Sequence, residues 1–326
     1  MRCKKMAKNF DELLSKVSSC SKKKLSVACA QDKAVLEAVK AAKERGIADS
    51  ILVGDEAKIK EIAATIDMDL SDYEIINVED TVEASLTAVK LVHDKKADMY
   101  LKGLLDTKKS VLNKECGLKG LLDTKTFLKS VLNKECGLRT GKPLSHVCVF
   151  EIPGIDRLLF FTDVAFIPYP TLEDKVNIIN YTVEVANACG VENPKVAPLA
   201  AVEIVNPKMP VTVDAQQLTE MNERGEITGC IVDGPLSLDI ALYKEAAAEK
   251  GALDRKIVGD ADILLFPDIH AGNLVYKAIV HMVPVKNGNI LTGTQAPVIL
   301  TSRSDTCETK VNSIALAAVM AEKMMK

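Results

Sequence analysis

LSVACAQDKAVLEAVKAAKERGIADSILVG (25–54) decides the fold class. LSVACA (25–30) is an apolar run of strand length. DKAVLEAVKAAKERG (32–46) then repeats apolar residues at helical spacing and stops at Gly46. ILVG (51–54) reads as a second strand. Strand, helix and strand joined by short polar turns form the unit from which parallel sheets are built. The rhythm continues outward. EAKIKEIAATI (56–66) and VEASLTAVKLVHDKK (82–96) read as helices, and YEIINV (73–78) and ADMYL (97–101) as strands. Right-handed crossovers gather the loops after these strands along one edge, where such sheets take their ligands.

From about residue 144 the pattern changes. HVCVFEI (146–152) and RLLFFTD (157–163) are strand-like runs joined by PGID, a hairpin signal. Further strands are expected in KVAPLAAVEIV (195–205), TGCIVD (228–233), ADILLFP (261–267) and PVILTS (297–302). TCETKVNSIALAAVMAEKMM (306–325) reads as the last helix. The expected organisation is a first α/β domain of residues 1–143 with 294–326, and a second of 144–293. The final strand and helix return to the first domain, which places a cleft between the two.

The 326 residues suffice for two cores, and 48% of them are hydrophobic. A net charge of −3 argues against nucleic acid as the main partner. No apolar run approaches the roughly 18–20 residues needed to span a bilayer, so no membrane partner is expected. MRCKKMAKNFDELL has no apolar core and is not a secretory signal; Met6-Ala7-Lys8 reads as a start preceded by a five-residue leader. Nine dispersed cysteines without a CxxC pair suit reduced thiols in a cytoplasm. His93, His146, His270 and His281 show no metal-ligand spacing.

One segment is duplicated. LKGLLDTKKSVLNKECGL (101–118) is followed by LKGLLDTKTFLKSVLNKECGL (118–138), in which Thr126-Phe127-Leu128 is extra. Two units are too few for a solenoid, and the near-identity reads as a recent duplication or a sequence-assembly artefact. The second unit should form the native helix, with Phe127, Leu128, Val131 and Leu132 as its apolar stripe. The expected excursion from the fold is 109–125, with 102–108 filling the strand-end position. Residues 95–142 carry twelve Lys/Arg against five Asp/Glu, part of it owed to the duplication.

Three segments place a short polar loop between a buried strand and a helix. In PVILTSRSDTCETKVNSIALA (297–317), Ser302 and Arg303 sit at the strand end, and Asp305 with Glu308 makes a capping pattern. Free N–H groups at a helix start and a guanidinium fork both suit phosphate oxygens. The bland alternative is a cap beside a solvated arginine. In ADILLFPDIHAGNLVYKAIV (261–280), Pro267 and Asp268 follow the strand and Gly272 lets backbone approach a ligand. Asn273 is placed to cap or to bond a carbonyl, and Tyr276 and Lys277 fall on the first turn. In IVDGPLSLDIALYKEAA (231–247), Asp233 and Gly234 end another strand and Ser237 caps. In the duplicated segment, Lys119, Gly120 and Thr124 are taken as the strand-end residues bordering the cleft.

Together these segments resemble the phosphate acetyltransferase and phosphate butyryltransferase family, more closely its butyryl branch. The resemblance runs from Met6 to the C-terminus. Carrying it are LKGLLDTKTFLKSVLNKECGLRTGK (118–142), VEIVNPKMPVTVDA (202–215), VDGPLSLDIA (232–241), FPDIHAGNLVYK (266–277), NILTGTQAPV (289–298) and TSRSDT (301–306). It implies a two-domain α/β/α fold of the isocitrate/isopropylmalate dehydrogenase-like type with its active site in the interdomain cleft. It also implies a homodimer or larger oligomer, no metal and no bound cofactor. The implied reaction is butanoyl-CoA plus phosphate giving butanoyl phosphate plus coenzyme A, with coenzyme A thioester as substrate. By resemblance Arg303 holds phosphate and Ser302 donates to the reacting carbonyl. An aspartate that the acetyl branch carries on the last helix is replaced here by Thr309, which leaves Asp305, Glu308 or a group elsewhere as base.

A thiol of pKa near 8.5 needs a base or an electropositive site, whereas phosphate is already anionic. That favours direct attack over a covalent intermediate, for which Cys307 is the candidate. Competing readings are the acetyl-transferring enzyme, a ligand-binding protein impaired by the duplication, and an isopropylmalate-type dehydrogenase.

Overall fold

The computed structural model describes residues 6–18, 20–103, 124–301 and 305–325. The expected βα alternation is present from β1 (Lys23–Ala28) through β2 (Ala48–Gly54) and β3 (Glu74–Asn77) to β4 (Met99–Lys102). Its helices are Lys33–Glu44, Glu56–Ala64 and Thr81–His93. Each starts on an aspartate, Asp32, Asp55 or Asp80, whose side chain accepts backbone N–H groups of the first turn. Such caps contribute about 1 kcal/mol each. After Lys33–Glu44 the chain reverses at Gly46, whose φ of +69° favours glycine.

By contacts the chain divides into two units: Leu14–Gly141 with Gly288–Lys326, and Met1–Leu13 with Lys142–Asn287. In the first, strand order runs β3-β2-β1-β4-β11-β10, where β10 is Lys286–Thr292 and β11 is Val298–Ile299. β1 to β4 and β11 pair in parallel, with Leu101 opposite Ile299. The final strand therefore lies beside β4. In the second unit, β5 (Ser145–Glu151) and β6 (Leu159–Thr162) form the expected antiparallel hairpin, turning at Gly154. β6 continues in parallel to β9 (Ile263–Leu265), β7 (Lys195–Pro198) and β8 (Ile231–Val232).

Four expectations change. The sheet is mixed rather than parallel, because β10 runs antiparallel to β11 as well as β5 to β6. β10 has no clear strand signal, since it opens on the polar Lys-Asn-Gly-Asn. The strand expected over 195–205 ends at Pro198 and leaves Ile204 78% exposed. The first described residues go with Lys142–Asn287 rather than with the β1–β4 unit. Phe10 is fully buried, its amide donates to Glu151 at 2.8 Å, and the Ala7 amide donates to the Cys189 carbonyl.

The duplication is placed by the residues on either side of it. Lys102 ends β4 and Gly103 follows, both from the first copy, while helix Thr124–Val131 begins in the second. Phe127 and Val131 are buried, and the Phe127 ring stacks on Tyr100 of β4 at 5.2 Å. Leu132 is 41% exposed and leaves the stripe. The excursion 109–125 is thus corrected: Thr124 and Lys125 belong to the helix. The excess lies within 104–123, twenty residues where one KGLLDT copy would place three. Excising 104–120 restores a single copy. Since loop-closure entropy grows only logarithmically with length, the variant should gain or lose no more than about 1–2 kcal/mol. Urea denaturation of both proteins tests this, and loss of the cooperative transition would show that the insert supports the fold.

Candidate functional site

In the β1–β4 unit the TSRSDT motif joins β11 to the last helix, Cys307–Met324. Ser302 and Arg303 lie outside the described residues, as do Lys119 and Gly120, and Thr124 is described only through its backbone. The cap is Thr306 rather than Asp305: its hydroxyl accepts the Thr309 amide at 3.1 Å. Asp305 stands just before the cap, and its backbone carbonyl accepts Lys310 Nζ at 2.6 Å. Lys310, 4% exposed, thus reaches back to the motif from the helix's first turn, a contact the sequence reading missed. Glu308 makes a two-pronged pair with Arg45, at 3.2 and 3.0 Å. It is thereby drawn away from the role of base. Cys307 is half-buried; burial, then Glu37 and Glu308, raises its thiol pKa. A neutral thiol suits direct attack rather than an acyl-cysteine.

In the other unit the predicted residues follow the ends of β8 and β9. Asp233, 5% exposed, pairs with Arg255 at 2.8 Å and accepts the Ile257 amide. Its carboxylate is spent inside the fold. A Cβ at Gly234 would meet Pro198 at 3.0 Å. Ser237 opens a short helix without a capping bond and turns its hydroxyl to Glu203 and Lys250. Asp268 caps helix Ile269–Met282, accepting from His270 and Ala271. Gly272 and Asn273 therefore lie inside that helix, and Tyr276 and Lys277 are on its third turn. Gly272 permits close approach to backbone, not to a ligand: a Cβ there would lie 2.4 Å from the Asp163 carbonyl oxygen. Asn273 donates to the Val164 carbonyl at 3.0 Å. Lys277 Nζ lies 5.1 Å from the Tyr276 ring centre. Pro267 borders a small cavity with Lys175 and Asp214, which pair at 2.6 Å.

Two titratable groups under this helix carry no motif signal. Asp163, at the end of β6, accepts the amides of Ala165, Phe166 and Ile167 at 2.9–3.1 Å. Burial outweighs those bonds and pushes its carboxyl up to about 6. His146 on β5 is held down at about 4, first by burial and then by the Lys277 charge. Its Nδ1 has no hydrogen-bond partner among the described residues.

The signs oppose. His146 contributes stability that is complete above its ordinary 6.5 and is lost as pH falls through about 4. Asp163 contributes stability that is complete below its ordinary 3.8 and is lost as pH rises through about 6. Each shift corresponds to about 3 kcal/mol. Acidification from pH 6.5 to 4 should therefore stabilise His146→Gln relative to the parent and destabilise Asp163→Asn. Urea denaturation at a series of pH values checks this; identical pH profiles for all three would remove the pair from the balance.

A cavity of about 490 Å³ in the β1–β4 unit opens at the starts of β4 and β11 beside Asp98 and Pro297. That is the opposite end from Lys102 and Thr301. Among the described residues no group of three His, Cys, Asp or Glu could hold a metal, and no helix is long and apolar enough to cross a membrane.

Parallel strands that end in polar loops and are joined by helices define an α/β protein. Residues 9–84 and 78–318 match the family described as phosphate acetyl/butaryl transferase, and the chain belongs to it. It is 55% identical to the phosphate butyryltransferase of Clostridium acetobutylicum, over 97% of this chain and 99% of that one. It is 41% identical to the phosphate acetyltransferase of Thermotoga maritima, over 96% of this chain and 100% of the relative. Among solved structures, a branched-chain phosphotransacylase from Enterococcus faecalis V583 superposes with a TM-score of 0.76 at 32% identity, covering 92% of this chain and 99% of that one.

Proposed function

We propose that the chain catalyses reversible transfer of a butanoyl group between coenzyme A and inorganic phosphate. The observation that carries this is its similarity, along nearly its whole length, to the Clostridium acetobutylicum phosphate butyryltransferase. A phosphate oxygen attacks the thioester carbonyl carbon, the C–S bond breaks, and the thiolate leaves and takes up a proton. In reverse the thiol gives that proton up and attacks the acyl phosphate. Positioning and stabilisation of the developing oxyanion carry most of such a reaction. Arg303 holds the phosphate, Ser302 donates to the carbonyl oxygen, and Asp305 exchanges the thiol proton.

In this reading the two units are the two domains of an isocitrate/isopropylmalate dehydrogenase-like architecture and flank one cleft. Pro267, Asp268 and Lys277 contribute from the second unit. Asp233, Gly234, Gly272 and Asn273 support that wall through the contacts they make within it. The working form is a homodimer or larger homo-oligomer, and the dispersed cysteines suit the cytoplasm. No resident cofactor enters the scheme.

Thiol release from butyryl-CoA, dependent on added phosphate, tests the reaction; no release would remove it. The second reading, acetyl transfer, is favoured by the Thermotoga maritima relative. A series of acyl-CoA substrates decides, because one methylene in an apolar pocket is worth about 1–3 kcal/mol. For the base, Asp305→Asn should lower turnover in the thiol-attacking direction by about tenfold or more and flatten its pH profile. An unchanged profile with Asp305→Asn, and a flattened one with Glu308→Gln, would reassign the base.

A further inference from the structure

VEIVNPKMPVTVDA (202–215) spans the loop 199–209 and the first turns of helix Pro210–Glu223, and none of its residues has a role in the reaction proposed for the chain. The loop follows β7 within the unit of Met1–Leu13 and Lys142–Asn287. β7 lies between β9 and β8, and the chain runs outward from β7 to β8 before it returns to β9. The order of connection thus reverses between β7 and β9. In open parallel sheets the ligand crevice lies outside the carboxyl ends of the strands at such a reversal. Pro198 and Leu199 at the end of β7 and Phe266 and Pro267 at the end of β9 line a small cavity there.

Polar contacts fix the loop at both ends. Near its start, Glu203 accepts the Ser237 hydroxyl and, at 3.2 Å, the Lys250 ammonium. Lys250 also donates to Ser237 at 3.1 Å and pairs with Asp239 at 2.9 Å. One ammonium, with its three donors, so ties the loop after β7 to the loop after β8. Burial works to raise the Glu203 pKa, but the bonds from Ser237 and Lys250 outweigh it and the pKa is lowered. Near the loop's end, the buried Thr212 accepts the Asn206 amide at 2.9 Å and donates to the Met209 carbonyl at 2.8 Å. Between these anchors Ile204 is 78% exposed and Val205 36%. A lone exposed aliphatic side chain is ordinary. Here two adjacent ones are held in water by a fixed backbone, at the edge where such sheets take their ligands. A contact fixed in advance loses little freedom when a ligand covers it.

We propose that Ile204 is a specificity-determining contact for the hydrocarbon part of the acyl-CoA substrate, and that Lys250 is its positioning residue, acting through Glu203. The inference rests on the acyl-transfer reading and deepens it by naming where the apolar part of the substrate is met. That hydrocarbon belongs either to the butanoyl chain or to the arm of coenzyme A that carries the thiol. One apolar contact recognises both, and free coenzyme A, which lacks the acyl chain, separates them.

The test uses the full chain with Ile204→Ala, Lys250→Met, Lys250→Arg and the double variant of Ile204→Ala with Lys250→Met. Both side chains are exposed, so the substitutions leave the core intact, and thermal denaturation checks this. Calorimetric titration with butyryl-CoA and with free coenzyme A, in the absence of phosphate, gives the affinities. Ile204→Ala should weaken butyryl-CoA by about tenfold, because most of the covered carbon is lost. Lys250→Met should weaken it about threefold, and Lys250→Arg should restore it. The double variant should bind no more weakly than Ile204→Ala alone, whereas a purely structural role for Lys250 would add the two losses. A matching loss for free coenzyme A assigns the contact to the coenzyme arm, and parental affinity for it assigns the contact to the butanoyl chain. Parental butyryl-CoA affinity in Ile204→Ala, or additive losses in the double variant, overturns the inference. So does a change in assembled mass without a change in affinity, which would give the loop tip to a second copy. A parent that binds butyryl-CoA but releases no thiol with phosphate fails the acyl-transfer reading, and the titrations still decide the contact. One that does not bind it overturns both.

Discussion

Arg303→Lys is expected to lose about a hundredfold or more in turnover although the charge is kept. The planar guanidinium presents paired N–H donors that match two phosphate oxygens at once. A lysine in its place is a single point of charge on a flexible stem. Such a substitution lowers both binding and orientation, and orientation is what a direct displacement depends on. The sequence around Arg303 agrees with a demanding position. Thr301 before it is buried, and Thr306 after it caps the long buried helix Cys307–Met324. The connection between strand and helix is therefore anchored at both ends. Steady-state kinetics with butyryl-CoA and phosphate, alongside thermal denaturation, give the answer. Turnover and phosphate KM near the parental values would take Arg303 out of the reaction.

The sequence was most legible where one signal sufficed. β1 to β4 and their helices follow from apolar periodicity, and Asp32, Asp55 and Asp80 cap the helices that follow them. β8, β9 and β11 are two or three residues long, so their bounds depend on partners rather than on local pattern. The site was legible as motifs, but less so as roles. Asp233 and Gly234 read as ligand contacts because they follow a strand. The partners Arg255 and Pro198 that occupy them lie far along the chain. Asp305 and Thr306 are both acceptable caps, and only the backbone register chooses Thr306. Asp163 and His146 carried no signal because burial, not spacing, sets their chemistry. The duplicated motif was the sharpest case, since two identical strings differ only in what packs around them.

That difference predicts opposite outcomes for one substitution made at two places. Gly103 follows β4 where the chain passes tightly over the end of β1, its amide donating to the Ala28 carbonyl at 2.8 Å. A Cβ at Gly103 would lie 2.2 Å from the carbonyl oxygens of both Ala28 and Cys29. Those are backbone atoms at the buried end of the central strand β1, so no side chain can swing aside to relieve the clash. Either β4 lifts from β1, breaking that amide bond, or the row through Tyr100 and Phe127 shifts. Gly103→Ala should therefore cost about 3 kcal/mol or more, at the upper end of what overpacking does. The second copy's glycine is not the residue that follows β4. Gly120→Ala is expected to stay within about 0.5 kcal/mol of the parent. Urea denaturation of the two variants side by side measures both. A large loss in Gly120→Ala with little in Gly103→Ala would mean that the second copy, not the first, follows β4.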